Sequence, residues 1–544
     1  MSSKSLIQGA SVLAIAGIVA KIMGAVFRLP LINWIGDTGM ANYSPAYYIY
    51  AFLVILATSG LPVAISKLVS ESLAVGNHYQ ANRVFKLSAK LMIAMGVIFF
   101  LILFIFAPQI ATLMGNPDAS LGMRAIAPSL LLVPRMAAFR GYFQGMQNMK
   151  PTAISQVVEQ FFRTIVGLGA AYYLFYIAGD NFIQGYDKYA LGASGANFGA
   201  TAGSIGGLLM ILFIYMLANK KLKRKIRKSK NLGSADSKII MKKILLIAVP
   251  ITIGAAIYPI LNLIDSALVM NRLMDGAGFS HTVAKALYGQ LSGFVGSLIN
   301  FPQLLSQSVA VSLVPVIAAA YKLKNEREMN ENVMLGLRMA SIIGYPCAFG
   351  LMAMSKPILL LLYPVQAESA SNAASILTIM SFGLLFLVET QTITGILQGI
   401  GKPMVPVINM IAGMGVKIVL TWILVGIPSI NVNGAAIGSV GAFILTMVLN
   451  YRYLTKNTKV EINKKLAFGK PLLAAFVMGV VVKVFYVLVM KVFPHNIIAT
   501  LLGVAIGVIV YAALIFKTGT IKKEELVFFP KGDKLLKIAN KFIK

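Results

Sequence analysis

The chemistry in this sequence rests on charged side chains set inside long apolar runs. Lys21 and Arg28 lie seven residues apart in the first such run, two helical turns along one face, and no acid within that run neutralises them. Later runs hold Arg135 and Arg140, then Glu159 and Arg163, then Asp265, Glu389 and Lys417. In a bilayer each costs about 2.5–3.5 kcal/mol on insertion scales, so such groups face a cavity or a partner. Cations outnumber acids in this set and most belong to the first half of the chain. A cavity lined in this way attracts an anion, and Lys and Arg are the usual partners of phosphate. The expected substrate-binding set is therefore Lys21, Arg28, Arg140, Glu159 and Arg163. Asp265, Glu389 and Lys417 read as an ion site or as structural partners.

Several members have a second reading. Glu159 and Arg163 are spaced i,i+4 and could neutralise each other. Arg135 and Arg140 are separated by about 140° on a helical wheel and do not share one target. Arg140 stands near a helix end, where snorkelling to headgroups competes with a place in a cavity. Lys285 and Lys483 read as helix-end or snorkelling lysines. His78, His281 and His495 are scattered without metal-ligand spacing, so no metal is expected. The single cysteine, Cys347, excludes an intrachain disulfide.

The elements that must carry these residues follow from composition. Of 544 residues, 58% are hydrophobic and 12% charged, whereas soluble chains are about half apolar and a quarter charged. One soluble core cannot hide that excess, because single cores stop growing at roughly 250–300 residues. The expectation is an all-α integral membrane protein of about fourteen spanning helices. They fall near 8–32, 46–70, 88–113, 124–146, 152–177, 190–218, 244–270, 286–320, 333–362, 372–400, 403–426, 433–454, 470–492 and 496–517. The eighth exceeds one span and is expected to tilt, bend or continue beyond the bilayer. The first apolar stretch is too long for a cleaved leader and carries Lys21 and Arg28, so it reads as a retained helix.

Net charge of +31 suggests nucleic acid or an anionic membrane surface, and the positions of the cations decide for the membrane. Lysines and arginines crowd alternate loops, above all 219–243 and the stretch after 517, while 33–45, 363–371 and 427–432 have none. The positive-inside rule then places both termini in the cytoplasm. The 219–243 stretch reads as a topology-setting loop that also touches anionic lipid headgroups. Beyond 517, apolar residues from Leu526 to Phe542 interleave with lysines as in a surface helix.

Two short matches imply duplication. Val63-Ala64-Ile65-Ser66 resembles Val309-Ala310-Val311-Ser312, and Gln144-Gly145 with Lys150-Pro151 resembles Gln398-Gly399 with Lys402-Pro403. Their separations, 246 and 254 residues, join helices six apart. The expected organisation is a six-helix bundle at 1–218, the basic loop 219–243, a second bundle at 244–454, two further helices within 455–517 and a basic tail, 518–544. The bundles form a parallel repeat about an axis along the membrane normal, a geometry suited to rocking around a central cavity.

The runs Gly60-Leu61-Pro62-Val63-Ala64-Ile65-Ser66-Lys67 and Arg140-Gly141-Tyr142-Phe143-Gln144-Gly145-Met146-Gln147-Asn148-Met149-Lys150-Pro151-Thr152 resemble signatures of the SpoVB-like polysaccharide flippases. That branch includes lipid II flippases of the MurJ type and belongs to the MOP exporter superfamily, beside the drug-exporting MATE proteins. The resemblance covers nearly the whole chain. It implies transport of an undecaprenyl-pyrophosphate-linked glycan, lipid II above all, from the cytoplasmic to the outer leaflet of a bacterial cell membrane. It further implies a cationic central cavity for the head group, a groove beside the last two helices for the lipid tail, and cell-wall synthesis proteins as partners. Lys21 falls where the family places a basic residue on helix one, and Arg28 lies about one residue from a second such position. Proteobacterial members also carry basic residues on helices two and eight, where this chain reads Leu53-Val54-Ile55 and Gly296-Ser297-Leu298. Arg163 or Arg140 are the cations available to compensate.

Two other functions compete. A cation-coupled multidrug exporter of the MATE type would use Asp265, Glu159 and Glu389, against the surrounding excess of cations. A membrane glycosyltransferase or polymerase needs paired carboxylates, and Asp37, Asp118, Asp180, Asp187, Asp275 and Glu368 offer no convincing pair. No Walker-type GxxxxGK[ST] loop occurs, so no ATP or other cofactor is expected, and membrane potential or a cation remains as the driving force.

Overall fold

The computed structural model describes residues 3–178, 187–233, 235–458 and 460–520. These residues are helical throughout, with no strand among them. The tail beyond 520, where the surface helix was expected, and Asp180 lie outside the described residues. Packing divides the chain into two units, Met1–Asn271 with Ser280–Gly289, and Arg272–Phe279 with Gln290–Lys544. This is a division by contact, whereas the six–six–two division is one by internal repeat.

The first unit contains α1 (Ser3–Thr58), α2 (Gly60–Ala74), α3 (His78–Ile105), α4 (Ala107–Leu113), α5 (Ala119–Ile126), α6 (Ser129–Gly145), α7 (Lys150–Tyr172), α8 (Lys188–Lys228), most of α9 (Ser237–Asp275) and α10 (His281–Gly289). The second contains α11 (Gly296–Lys322), α12 (Glu326–Ala353), α13 (Ser355–Leu362), α14 (Ala367–Gly399), α15 (Met404–Val425), α16 (Asn433–Asn457), α17 (Lys470–Val492) and α18 (Asn496–Lys517).

Among the described residues, twelve helical runs are long and apolar enough to cross a membrane, against about fourteen spans expected. The difference has two sources. The first two expected spans share one run, Ile15–Ala74, whose 60 residues are about three times what one crossing needs. Its break is Gly36, at φ 63° and ψ −163°, a conformation open to glycine and closed to residues with a Cβ. The expected loop 33–45 is otherwise helical. The fourth expected span is divided at Ala127–Pro128 into α5 and α6, each too short to qualify.

The expected loop 219–243 is shorter than its composition suggested, since α8 runs to Lys228 and α9 starts at Ser237. Lysine and arginine are good helix formers and favour the C-terminal end of a helix dipole, so the basic run prolongs α8. The connection is held to the α2–α3 turn: Asn77 Nδ2 donates to the Gly233 carbonyl at 3.0 Å, and Arg83 Nη2 to Ser237 Oγ at 2.8 Å. The eighth expected span lies in one 42-residue helical run, His281–Lys322, with a π-turn at Gln290–Val295 between α10 and α11.

Small residues bring helices to backbone contact, as membrane packing favours. A Cβ on Gly199 would stand 2.6 Å from Gly167 Cα, and one on Gly203 2.6 Å from the Glu159 carbonyl oxygen. Helices α7 and α8 therefore pack spine to spine. The first unit's core joins Ile65, Val69, Met92, Met136 and Phe143, with Phe85 stacked on Tyr142 at 4.5 Å. In the second, Ile317, Val333, Leu337, Ile393 and Leu397 form the equivalent core. The last two helices join that unit through Met354, Met478 and Val482, and through Tyr511 Oη donating to the Ile342 carbonyl at 2.9 Å. Their outer faces present Val508 and Ile509, an arrangement that suits lipid.

Candidate functional site

In the first unit, α6 and α7 decide how the buried charges are shared. Arg140 Nη2 donates to Glu159 Oε2 at 2.9 Å, and Arg140 Nε donates to Ser155 Oγ at 2.9 Å. The pair is largely buried, with 14% and 18% of the two side chains exposed. Glu159 thus pairs across helices with Arg140 and not along α7 with Arg163. Arg140, reaching across from α6, is a better-placed cation than the i+4 neighbour. The pairing gives Arg140 an acidic partner, where the sequence left a place in a cavity and snorkelling to headgroups as competing readings.

Arg163 is left to an aromatic setting. Its guanidinium carbon lies 5.0 Å from the centroid of the Tyr47 ring, a cation–π distance. Tyr47 stacks on Tyr43 at 5.8 Å with 9° between ring planes and lies 6.1 Å from Tyr50. Arg28 lies on α1, the helix that carries these three tyrosines and packs against α7. Among the described residues neither Arg28 nor Arg163 has a carboxylate partner within ion-pair distance. Lys21 is exposed on α1 two turns away, and Arg135 is exposed on α6.

Asp265 on α9 and Lys417 on α15 are half-buried, and both have interacting neighbours. Glu389 on α14 is 2% exposed. Ser341 Oγ on α12 donates to its Oε1 at 2.7 Å, while Oε2 has no hydrogen-bond partner. Among the described residues no cation pairs with it.

Two groups were not anticipated. Lys285 on α10 is no snorkelling lysine: its side chain is 5% exposed, and Nζ lies 2.7 Å from Asp118 Oδ2 and 3.9 Å from Asp187 Oδ2. Three charges in otherwise cation-poor loop ends were the available signal. The pairing itself needed three distant segments to meet. Arg338, 5% exposed on α12, is the second unit's buried arginine and has interacting neighbours of its own. Its position inside an apolar run marked it. Among the described residues no three His, Cys, Asp or Glu side chains converge as a metal site.

Comparison with known proteins gives the fold and charges a context. Residues 6–321 match the family described as "Polysaccharide biosynthesis protein", and residues 291–423 match the family described as MatE. The chain is 32% identical over 540 residues to the "Uncharacterized membrane protein YabM" of Bacillus subtilis (strain 168), covering 98% of this chain and 96% of that protein. It is 27% identical to the "Lipid II flippase MurJ" of the same organism, covering 96% and 97%. A solved structure of lipid II flippase MurJ in an inward closed conformation superposes with a TM-score of 0.63 at 17% identity, covering 94% of this chain and 99% of that one. With its helical fold and candidate spans, the chain is a multi-pass membrane protein, and it belongs to the polysaccharide biosynthesis protein family of the MOP superfamily.

Proposed function

We propose that this protein moves an undecaprenyl-pyrophosphate-linked glycan, lipid II above all, from the cytoplasmic to the outer leaflet by alternating access. The observation that carries this reading is the sharing of charge in the first unit. Glu159 is taken by Arg140, which leaves Arg163 on the Tyr47 ring and Arg28 on the adjoining helix α1, neither with a carboxylate in ion-pair distance among the described residues. Two half-buried cations on packed helices suit a diphosphate, with Lys21 two turns along α1 as an outlying contact. The similarity to a lipid II flippase over nearly the whole chain supports the same substrate class. In this reading both termini are cytoplasmic, cell-wall synthesis proteins are neighbours in the bacterial membrane, and no ATP is consumed. An inside-negative potential favours outward movement of an anionic head group by about 2.3 kcal/mol per charge per 100 mV.

The test is reconstitution into vesicles with labelled lipid II. Charge-assisted hydrogen bonds are worth about 1.5–3 kcal/mol each, so Arg28→Ala/Arg163→Ala should slow flipping by about a hundredfold or more while the protein still folds. Flipping at the unmodified rate would sink the reading.

The second reading is a cation-coupled drug exporter on the same architecture, favoured by the buried, cation-free carboxyl of Glu389 and the MatE match around it. Drug efflux that persists in the Arg28→Ala/Arg163→Ala variant, with no lipid flipping in the parent, would favour it.

A further inference from the structure

Helix α10 is the outer part of a helical run whose remainder, α11, belongs to the other unit. It is fastened to the first unit at two places. Lys285, one turn in, is buried between Asp118, the N-cap of α5, and Asp187, the N-cap of α8. Gly289, the last residue of α10, lies so close to Asp37 that any Cβ would collide with the Asp37 carbonyl. Asp37 is the residue after the non-helical Gly36. The α4–α5 connection that supplies Asp118 also receives Asn271, whose Nδ2 donates to the Leu113 carbonyl at 3.0 Å. One connection thus holds the chain both before and after the turn that joins α9 to α10. Immediately after Gly289 the helix changes to a π-turn, Gln290–Val295, a local irregularity of the kind that localises bending.

We propose that Lys285 is a positioning residue that keeps α10 attached to the first unit throughout the transport cycle, so that bending of this run occurs in the π-turn Gln290–Val295. The ion pair is a permanent clasp and not a gate that opens. A gate would place a charged group where water can take over its solvation at each opening. Lys285 is instead almost wholly desolvated, and the glycine seat beside it has no second position to occupy without moving backbone. Charges facing Lys285 come from α5 and α8 as Asp118 and Asp187, and its own short helix supplies as further ionisable groups only His281 and Tyr288.

The experiment is distance measurement between spin labels in a Cys347→Ser background, which needs no assumption about the cargo. One pair joins exposed Val283 on α10 to exposed Tyr173 in the first unit, and the other joins Val283 to exposed Val365 in the second. The expected result is a narrow Val283–Tyr173 distribution that undecaprenyl pyrophosphate added to nanodiscs leaves unchanged. Lys285→Met should broaden it, and Lys285→Arg should keep it narrow. A Val283–Tyr173 distance that shifts with ligand, or is already bimodal, overturns the clasp. So does Lys285→Met with an unchanged distribution. Failure of the lipid to move either pair bears on the transport reading alone, because the Lys285→Met comparison still decides the clasp.

Discussion

Helices α6 and α14 occupy the same place in the two units and carry opposite charges. At the 254-residue offset, Gly141 and Gly145 of α6 correspond to Gly395 and Gly399 of α14. Each glycine pair lets its helix lie against a partner's backbone. Gly141 and Gly145 meet Pro62 and Ser66 of α2, and Gly395 and Gly399 meet Ala310 and Val314 of α11. The partner segments are the two halves of the Val-Ala-Ile-Ser repeat. At the same offset Arg135 becomes Glu389 and Arg140 becomes Thr394. Arg135 is exposed and Glu389 buried, while Arg140 is ion-paired and Thr394 donates to the Thr390 carbonyl at 2.7 Å. The lesson is that the two helices pack alike and differ in their electrostatics. Close helix approach tolerates few residue types, so it persists in both helices. Charge is set by single side chains on faces that packing does not dictate, so it is free to diverge.

The comparison breaks most visibly at the glycines. Gly141→Leu and Gly395→Leu should each lower stability by about 1–3 kcal/mol or more, since the added side chain must displace backbone. Thermal unfolding in detergent should give similar losses for the two. A large loss in one unit beside none in the other would show that the packing is not equivalent.

The ion pair comes next. Arg140→Ala should cost about 1–3 kcal/mol by stranding Glu159, whereas Thr394→Ala at the matching position should cost less than about 1 kcal/mol. A double-mutant cycle of Arg140→Ala with Glu159→Gln should recover part of the loss. Strict additivity would mean the pair contributes nothing beyond its two separate residues.

The smallest effect sharpens the contrast between Glu389 and Arg135. Glu389→Gln keeps an oxygen to accept from Ser341, so stability should change by less than about 1 kcal/mol, and Arg135→Gln should stay within about 0.5 kcal/mol. Chemical denaturation of each variant checks this. A severe loss in Glu389→Gln would show that the carboxylate's charge holds the second unit together.

Hydropathy and loop charge were enough to identify a helical membrane protein, because apolar length and lysine placement are properties of short segments. The motif runs around Gly60 and Arg140 were enough to point to the family. The cationic character of the first half was also legible, since Lys21, Arg28 and Arg163 stand in apolar runs whatever their neighbours are. Partnership was decided only in three dimensions. Glu159 pairs with Arg140 and not with its i+4 neighbour because the chain turns back between α6 and α7 and sets the two side chains within reach, and that pairing leaves Arg163 to the tyrosines. Lys285 found Asp118 across 167 residues of chain, a distance at which sequence spacing carries no information. The merging of the first two expected spans across Gly36 was likewise invisible to a hydropathy window, because the window averages composition while the break resides in one residue's backbone. Local segments determine which residues enter the membrane. Which of their charges are neutralised, and which remain for a ligand, depends on helix packing, because an ion pair needs two specific atoms within a few ångströms.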